Sequence, residues 1–494
     1  MMYKSTRGSN IEVTASQAIL KGLSEDQGLF VPTDIPKLPL SIEEMSKMDY
    51  KEIAYTVMKE YLTDFTKEEL RSCIEKAYDE KFDTKEIAPL FHADNAYYLE
   101  LFHGKTIAFK DMALSILPYL LTVSAKKNKV TNEIVILTAT SGDTGKAALA
   151  GFAGVEGTKI IVFYPKDGVS PIQERQMVTQ KGDNTHVIAV HGNFDHCQTG
   201  VKEIFSNKEL GRELEKAGYQ FSSANSINIG RLIPQIVYYV YAYCCLYKNG
   251  HIKKDEKINI VVPTGNFGNI LAAYYGKKMG LPIHKLLCAS NENKVLYDFF
   301  QTGFYNKNRE FKLTSSPSMD ILISSNLERL IYLLTGEDPE KTMDYMEALK
   351  EKGEYKITDE MKRNLEDFYA GYSKEEETFE AISSLYKKTG YVIDTHTGVG
   401  THVYNEYIKE TKDKKTTIIS STASPYKFTR YVMEAIDKKY EGLDAFVLAD
   451  ELWKLSGVPI PRAIEEIRTA PILHNTVCQV KDMERAVKEY LGVK

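Results

Sequence analysis

The sequence predicts an α/β fold built on mostly parallel sheet. From residue 97 onward, short runs rich in Val and Ile alternate with amphipathic helical stretches, the pattern of strands covered on both faces by crossover helices. Three of those runs also break into loops of Gly, Ser, Thr and Asn that open a following helix, which is where open α/β sheets bind ligands. Composition agrees: 494 residues suffice for about two to four domains, and 43% hydrophobic with 27% charged residues excludes a disordered chain.

Residues 1–95 read as a mainly helical lead-in, with segments at Ser16 to Leu23, Ser41 to Met48, Tyr50 to Leu62 and Lys67 to Ala77, and prolines at 32, 36 and 39 between them. Strand-like runs follow at Tyr97 to Phe102, Ile134 to Thr140, Lys159 to Pro165, His186 to His191, Ile258 to Pro263, Lys285 to Ser290 and Thr416 to Ser421. Between about 300 and 388 the strands largely vanish into charged helical stretches, such as Asp344 to Lys352 and Lys374 to Lys388, the latter capped by Ser373 and closed by Gly390. This reads as a helical insertion into the α/β core. Residues 431–494 read as a C-terminal helical segment.

Net charge is -5, which offers no basic field for nucleic acid or an anionic membrane surface. The six cysteines form no CxxC pair or disulfide-like spacing, so they are expected to be reduced thiols of a cytoplasmic protein. Met1 to Arg7 has no apolar signal core, and no run reaches the roughly 18 apolar residues of a membrane span. His191, His196 and Cys197 match no strong zinc spacing, and no metal is expected.

The stretch His103-Gly104-Lys105-Thr106-Ile107-Ala108-Phe109-Lys110-Asp111 leaves a strand and enters a helix. Lys110 sits in that helix's opening turn, ahead of the apolar Met112, Ala113, Leu114 and Leu117. Burial and the positive end of the helix dipole both favour a neutral amine, the form that condenses with an aldehyde. Taken alone, the pattern also fits an ordinary solvated lysine, and Lys105 and Lys146 are rivals beside glycines.

The first loop, Thr138 to Gly145, leaves backbone amides open to an anion; it also fits a plain capped turn, and it is not a Walker loop because Ala147 stands where Ser or Thr should coordinate magnesium. The second, Pro263 to Asn269, suits a cradle of N–H groups around one phosphate, without the GxGxxG spacing of a dinucleotide site. The third, Ser420 to Phe428, fits either a capping turn or a hydroxyl aimed into a cleft.

Together HGKTIAFKD, TSGDTG, GNFGN, the opening STRG and the terminal STASPYKF, in that family's order from Tyr3 to about Phe428, resemble the threonine synthases. These belong to the fold-type-II, tryptophan-synthase-β-like group of pyridoxal-phosphate enzymes, and the longer microbial and fungal branch is the nearest match. The resemblance implies two open twisted α/β units: a large cofactor-binding one from residues 96–110 and 223–430, and a small one from 111–222. It implies Lys110 as the Schiff-base lysine and proton shuttle, and Gly265, Asn266, Phe267, Gly268 and Asn269 as the cradle for the phosphate of pyridoxal 5′-phosphate. Thr422 would be the hydroxyl facing the pyridine nitrogen, which keeps the cofactor a milder electron sink.

Ser141, Asp143 and Thr144 match the loop that clasps the substrate carboxylate and borders the cofactor, with Asp143 standing where many relatives in the wider fold group have Asn. Asn225, Ser226, Asn228 and Arg231 match the segment that holds the substrate phosphate, a bidentate, charge-assisted site. The implied reaction converts O-phosphohomoserine and water to threonine and phosphate, in a monomer or homodimer. The same motifs also fit a phospholyase releasing 2-oxobutyrate from phosphohomoserine or phosphothreonine, and, more remotely, a non-catalytic phosphometabolite-binding protein.

Overall fold

The computed structural model describes residues 1–8, 11–140 and 142–493. Two sheets organise it. The larger runs Phe368–Tyr372, Ile283–Ser290, Ile258–Pro263, Thr417–Ser421, Ala96–Glu100, Leu90–Ala93, parallel throughout except for Leu90–Ala93 at one edge. Its central strand, Ile-Asn-Ile-Val-Val-Pro, is buried at every position, which is why it reads as an apolar run interrupted by Asn259 alone rather than an alternating one. The smaller sheet runs Thr476–Gln479, Thr185–His191, Thr158–Pro165, Glu133–Ala139, Tyr219–Ser222, all parallel.

The helices of the lead-in start where local chemistry dictates. Thr14 with Gln17, Ser41 with Glu44, Asp49 with Glu52 and Thr66 with Glu69 each form a reciprocal capping box, and losing such a cap costs about 1 kcal/mol. Helix Tyr50–Tyr61 buries Ile53, Ala54, Val57 and Met58 in a core shared with the long helix Ile229–Lys248. That helix is apolar nearly all round and correspondingly buried. Among the described residues no helix is long and apolar enough to cross a membrane.

Four stretches depart from the sequence-based expectation, the first being Tyr219–Ser222, a small-sheet strand that no Val/Ile-rich run announces. The segment from about 300 to 388 is not purely helical: Phe368–Tyr372 is an edge strand of the large sheet, and Phe304–Asn306 pairs with Glu354–Lys356 in a two-stranded ribbon. The Phe-Tyr-Ala-Gly-Tyr strand is aromatic and broken by glycine, so it lacks the Val/Ile signature. Residues 431–494 are not purely helical either, since Thr476–Gln479 forms the outer strand of the small sheet. Four half-exposed residues are too few to show a period. The helix expected to be capped by Ser373 spans Glu375–Thr389 with Lys374 at its N-cap, where Glu377 accepts from the Lys374 amide. The Ser373 hydroxyl is paired with Thr378 instead.

Candidate active site

The carboxyl ends of Ala96–Glu100 and Thr417–Ser421 lie side by side, and the chains leaving them stay joined. The Phe109 amide donates to the Thr422 carbonyl at 2.8 Å, the Ser424 amide to the Ile107 carbonyl at 3.0 Å, and Ala108 bridges Ala423. Ile107 is held at φ 51°, a costly conformation for a β-branched residue that its surroundings must enforce. Asp111 closes the turn by accepting from the Thr106 amide at 2.8 Å and hydroxyl at 2.6 Å. A Cβ at position 104 would lie 2.6 Å from the Asp111 side chain, which accounts for Gly104. The result is a rigid mount that presents Lys110 at the head of helix Asp111–Leu114.

Lys110 Nζ donates to Ser318 Oγ at 2.9 Å, and Ser318 Oγ donates to Asp143 Oδ2 at 2.7 Å. The amine itself is 3.5 Å from Asp143 Oδ2. The other carboxylate oxygen accepts from Gln173 Nε2 at 3.0 Å and lies 3.3 Å from Lys427 Nζ. Lys427 is fully buried and donates to the Thr106 carbonyl at 2.9 Å. Behind Ser318, its backbone amide donates to His396 Nε2 at 3.2 Å, and His396 Nδ1 lies 2.7 Å from Asp394 Oδ2. Because the amide can only donate, Nε2 is the acceptor and the ring proton sits on Nδ1.

Burial lowers the Lys110 amine to about 8, with Lys427 and Arg231 adding to the effect and Asp143 opposing it. Burial alone would raise the Asp143 carboxyl, but Lys427 and then Lys110 outweigh it and hold Asp143 well below the usual carboxylate range.

The opposite wall is the turn Gly265 to Phe267 leading into helix Gly268–Met279, with Phe267 left-handed at φ 66°. A Cβ on Gly265 would fall 2.5 Å from the Ser318 carbonyl oxygen, so only glycine permits this approach of the two segments. Asn269 Oδ1 accepts from the Tyr238 and Tyr239 hydroxyls at 2.7 and 2.5 Å, while its buried Nδ2 has no partner among the described residues. Arg231 is 4% exposed and donates from one terminal nitrogen to the Ala224 carbonyl at 3.0 Å; its Nε is buried without a partner. No carboxylate among the described residues pairs with it, and burial lowers it to about 10.

Of the residues singled out from sequence, Lys110, Asp143, Thr144, Ser226, Arg231, Gly265, Asn266, Phe267, Gly268, Asn269 and Thr422 line one cavity. Asn225 is exposed and lies outside it, bonded to the Ser226 hydroxyl. Asn228 is not a ligand-facing amide: it caps helix Ile229–Lys248, accepting from the Gly230 amide and donating to the Ile19 and Ser223 carbonyls, so its hydrogen-bonding capacity is spent on the fold. Ser141 lies outside the described residues. Sequence reasoning missed Ser318, which sits in the supposed insertion, and His396, whose Asp394-Thr395-His396-Thr397-Gly398 stretch carries the same small-residue helix-start signal as the three loops. Lys427 falls within the third loop without having been given a role.

A general model for pyridoxal-phosphate-dependent enzymes matches residues 87–422 of this chain. The site is that of the fold-type-II class of those enzymes: a buried lysine of lowered basicity shares its cavity with a helix N-terminus. Models for the threonine synthase N terminus and C-terminal region match residues 2–78 and 397–476. The threonine synthase of Schizosaccharomyces pombe is 38% identical over 466 residues, covering 88% of this chain and 89% of the relative. The crystal structure of yeast threonine synthase superposes with a TM-score of 0.89 at 32% identity, and that of PLP-bound threonine synthase from Brucella melitensis with 0.88 at 33%, each covering 99% of both chains. The chain belongs to the threonine synthase family.

Its residues fit the cofactor of that class. Lys110 supplies an amine for the aldehyde, the amides at the head of Gly268–Met279 can hold a phosphate, and the unpartnered Asn269 Nδ2 and Arg231 Nε are buried donors that an anionic ligand would satisfy.

Proposed function

We propose that this chain is a threonine synthase that converts O-phosphohomoserine and water to threonine and phosphate. The observation that carries the reading is the charge balance of the cavity wall. Lys110 and Arg231 line it and Lys427 backs it, against Asp143 as the single carboxylate among the described residues of the wall. Two phosphates, one on the cofactor and one on the substrate, answer that excess.

The two anion positions differ in kind. The Gly265 to Asn269 turn has backbone amides and neutral side chains, which suits a phosphate that stays. Arg231, with Ser226 beside it in the wall, adds a charge, which suits a phosphate that is captured, stabilised as it leaves and then released. Pyridoxal phosphate supplies the electron sink for carbanion chemistry. Lys110 Nζ moves the protons, taking one from the substrate Cα and later one from Cβ, and Ser318 and Asp143 hold the amine in place. Thr144, which lines the cavity, takes the substrate carboxylate; the Gly142 and Gly145 amides, expected to be open to an anion, instead donate to the Thr140 hydroxyl. Arg231 stabilises the departing phosphate at Cγ.

The test is a product assay on purified, cofactor-loaded protein with O-phosphohomoserine. Threonine and phosphate in equal amounts are expected. 2-Oxobutyrate without threonine would instead establish the phospholyase reading, in which the last intermediate is never hydrated at Cβ.

A further inference from the structure

Lys427 is a buried lysine for which neither the family resemblance nor the reaction as described supplies a role. It lies on the short helical turn Pro425–Phe428, has no exposed side-chain surface, and reaches back to the Thr106 carbonyl at 2.9 Å and to Asp143 Oδ1 at 3.3 Å. Asp143 thus stands between two ammonium groups, Lys427 on one oxygen and Lys110 at 3.5 Å on the other. Neither lysine has another carboxylate within ion-pair distance among the described residues. A carboxylate facing a single lysine in a dry site would hold that lysine charged, and a charged ammonium can neither add to an aldehyde nor accept a proton from carbon.

We propose that Lys427 is the permanent counter-ion of Asp143, a positioning residue that leaves Lys110 free to work as an uncharged amine. The geometry separates the two partners by anchoring. Lys427 is fixed by the Thr106 carbonyl as well as by Asp143, in the same turn that Thr106 shares with Asp111. Lys110 touches Asp143 chiefly through the Ser318 hydroxyl, a neutral link that can rotate away when the amine is needed elsewhere. Among the described residues, the charged and titratable groups that share the cavity with Lys110 or back it are Asp143, Lys427, Arg231 and His396; of these Asp143 alone favours the ammonium, and Lys427 is in direct contact with Asp143, while the neighbouring Asp111 is held by the Thr106 amide and hydroxyl. Removing Lys427 therefore acts twice in one direction, freeing Asp143 to attract the Lys110 proton and taking away a repelling charge.

This inference rests on the reading of Lys110 as the working amine, but its test does not depend on turnover. In the cofactor-free full chain, the pH dependence of acylation of Lys110 by trace acetic anhydride, read by peptide mass spectrometry, gives the protonation midpoint of that amine. Lys427→Met should raise the midpoint by about one unit or more, so that the reactive fraction at neutral pH falls about tenfold. Lys427→Arg, which keeps the charge, should restore it, and so should Asp143→Asn added to Lys427→Met. An unmoved midpoint in folded Lys427→Met overturns the proposal, because a purely structural lysine would change melting temperature and leave the Lys110 midpoint alone. If Lys427→Met does not fold, Asp143→Asn alone decides: the Lys110 midpoint must drop below that of the parent, and a constant or higher one refutes the assignment. A shifted midpoint alongside a product assay without threonine would leave this inference standing and remove the proposed reaction.

Discussion

Lys110 and Arg231 are both buried cations of one cavity, and they differ in what answers their charge. Lys110 has Asp143 within reach, while among the described residues Arg231 has a backbone carbonyl and no carboxylate. Burying an unpaired guanidinium is expensive unless a ligand completes it, and in the proposed reaction the substrate phosphate is that ligand for Arg231. Arg231→Ala should cost turnover about 2 to 4 kcal/mol in kcat/KM, roughly 30- to 800-fold, as for a lost charged or oxyanion contact. It should leave nearly intact the visible absorption of the lysine-bound cofactor. Gly268→Leu should do the reverse, since Gly268 lines the cavity at the head of its helix, and a side chain there competes with a phosphate on the amides. Loss of cofactor from Arg231→Ala with normal turnover after reconstitution would mean that the two phosphate positions are exchanged.

Strands and helix starts were legible where one physical signal dominated, and the site was legible where it used them. Ile258–Pro263 and the helix Lys67–Ala77 begin and end where the sequence predicts, because a fully buried apolar run and a Thr66–Glu69 capping box are strong local signals. Ser318 was not legible: it sits on a short turn held by tertiary contacts, in which Asp320 accepts from Asn291, Asn293 and Thr314, and no periodicity records that. Nor was the saturation of the Asn228 amide by two carbonyls and an amide, which depends on the lead-in helix lying beside it. The contact between the Gly265 turn and the Ser318 turn makes a prediction at this scale. In Gly265→Ala the methyl would meet the Ser318 carbonyl at 2.5 Å, and both neighbours are backbone, so one turn must move. Cofactor affinity should fall more than about tenfold together with a loss of about 1 to 3 kcal/mol in stability, measured by titrating the cofactor-free protein; unchanged affinity would show that the two turns are not a single element. His103 similarly ties the end of strand Ala96–Glu100 to the lead-in, contacting Glu100 at 2.9 Å and Asp83 at 2.6 Å. Burial lowers its basicity, but these two carboxylates outweigh that and raise it to about 9. A folded value above the unfolded one means that its stabilisation is fully present below about pH 6.5 and is lost as pH rises through about 9. Melting temperature should therefore decline across that window less steeply in His103→Gln than in the parent, and parallel curves would exclude the link.

At the scale of the whole molecule, the C-terminal residues bind the two units together rather than trailing from one. Helix Arg462–Thr469 places Ile464 and Ile467 in a core shared with Ile172 of the small unit, and Arg175 donates to the Ile467 and Ala470 carbonyls at 2.9 and 2.7 Å. The chain then adds Thr476–Gln479 to the edge of the small sheet and lays helix Met483–Leu491 over its core, burying Met483, Val487 and Leu491 beside Ile188, Val190 and Cys197. Burying three such side chains contributes about 5 to 9 kcal/mol as an upper bound, comparable with the whole stability of a typical domain, about 5 to 15 kcal/mol. The small sheet should not survive without them. The large sheet, whose strands and Gly265 to Asn269 turn lie outside this stretch, loses none of its own strands. Ending the chain at residue 474 should therefore split the molecule's behaviour. Amide exchange should become fast across 133–222, and turnover should vanish because the loop carrying Asp143 and Thr144 loses its support. Exchange in strand Ile258–Pro263 should remain slow, and the Gly265 to Asn269 cradle should still take up cofactor. Uniformly fast exchange in both sheets would mean that the two units fold as one cooperative body, with the C-terminal segment holding up the cofactor site as much as the substrate loop.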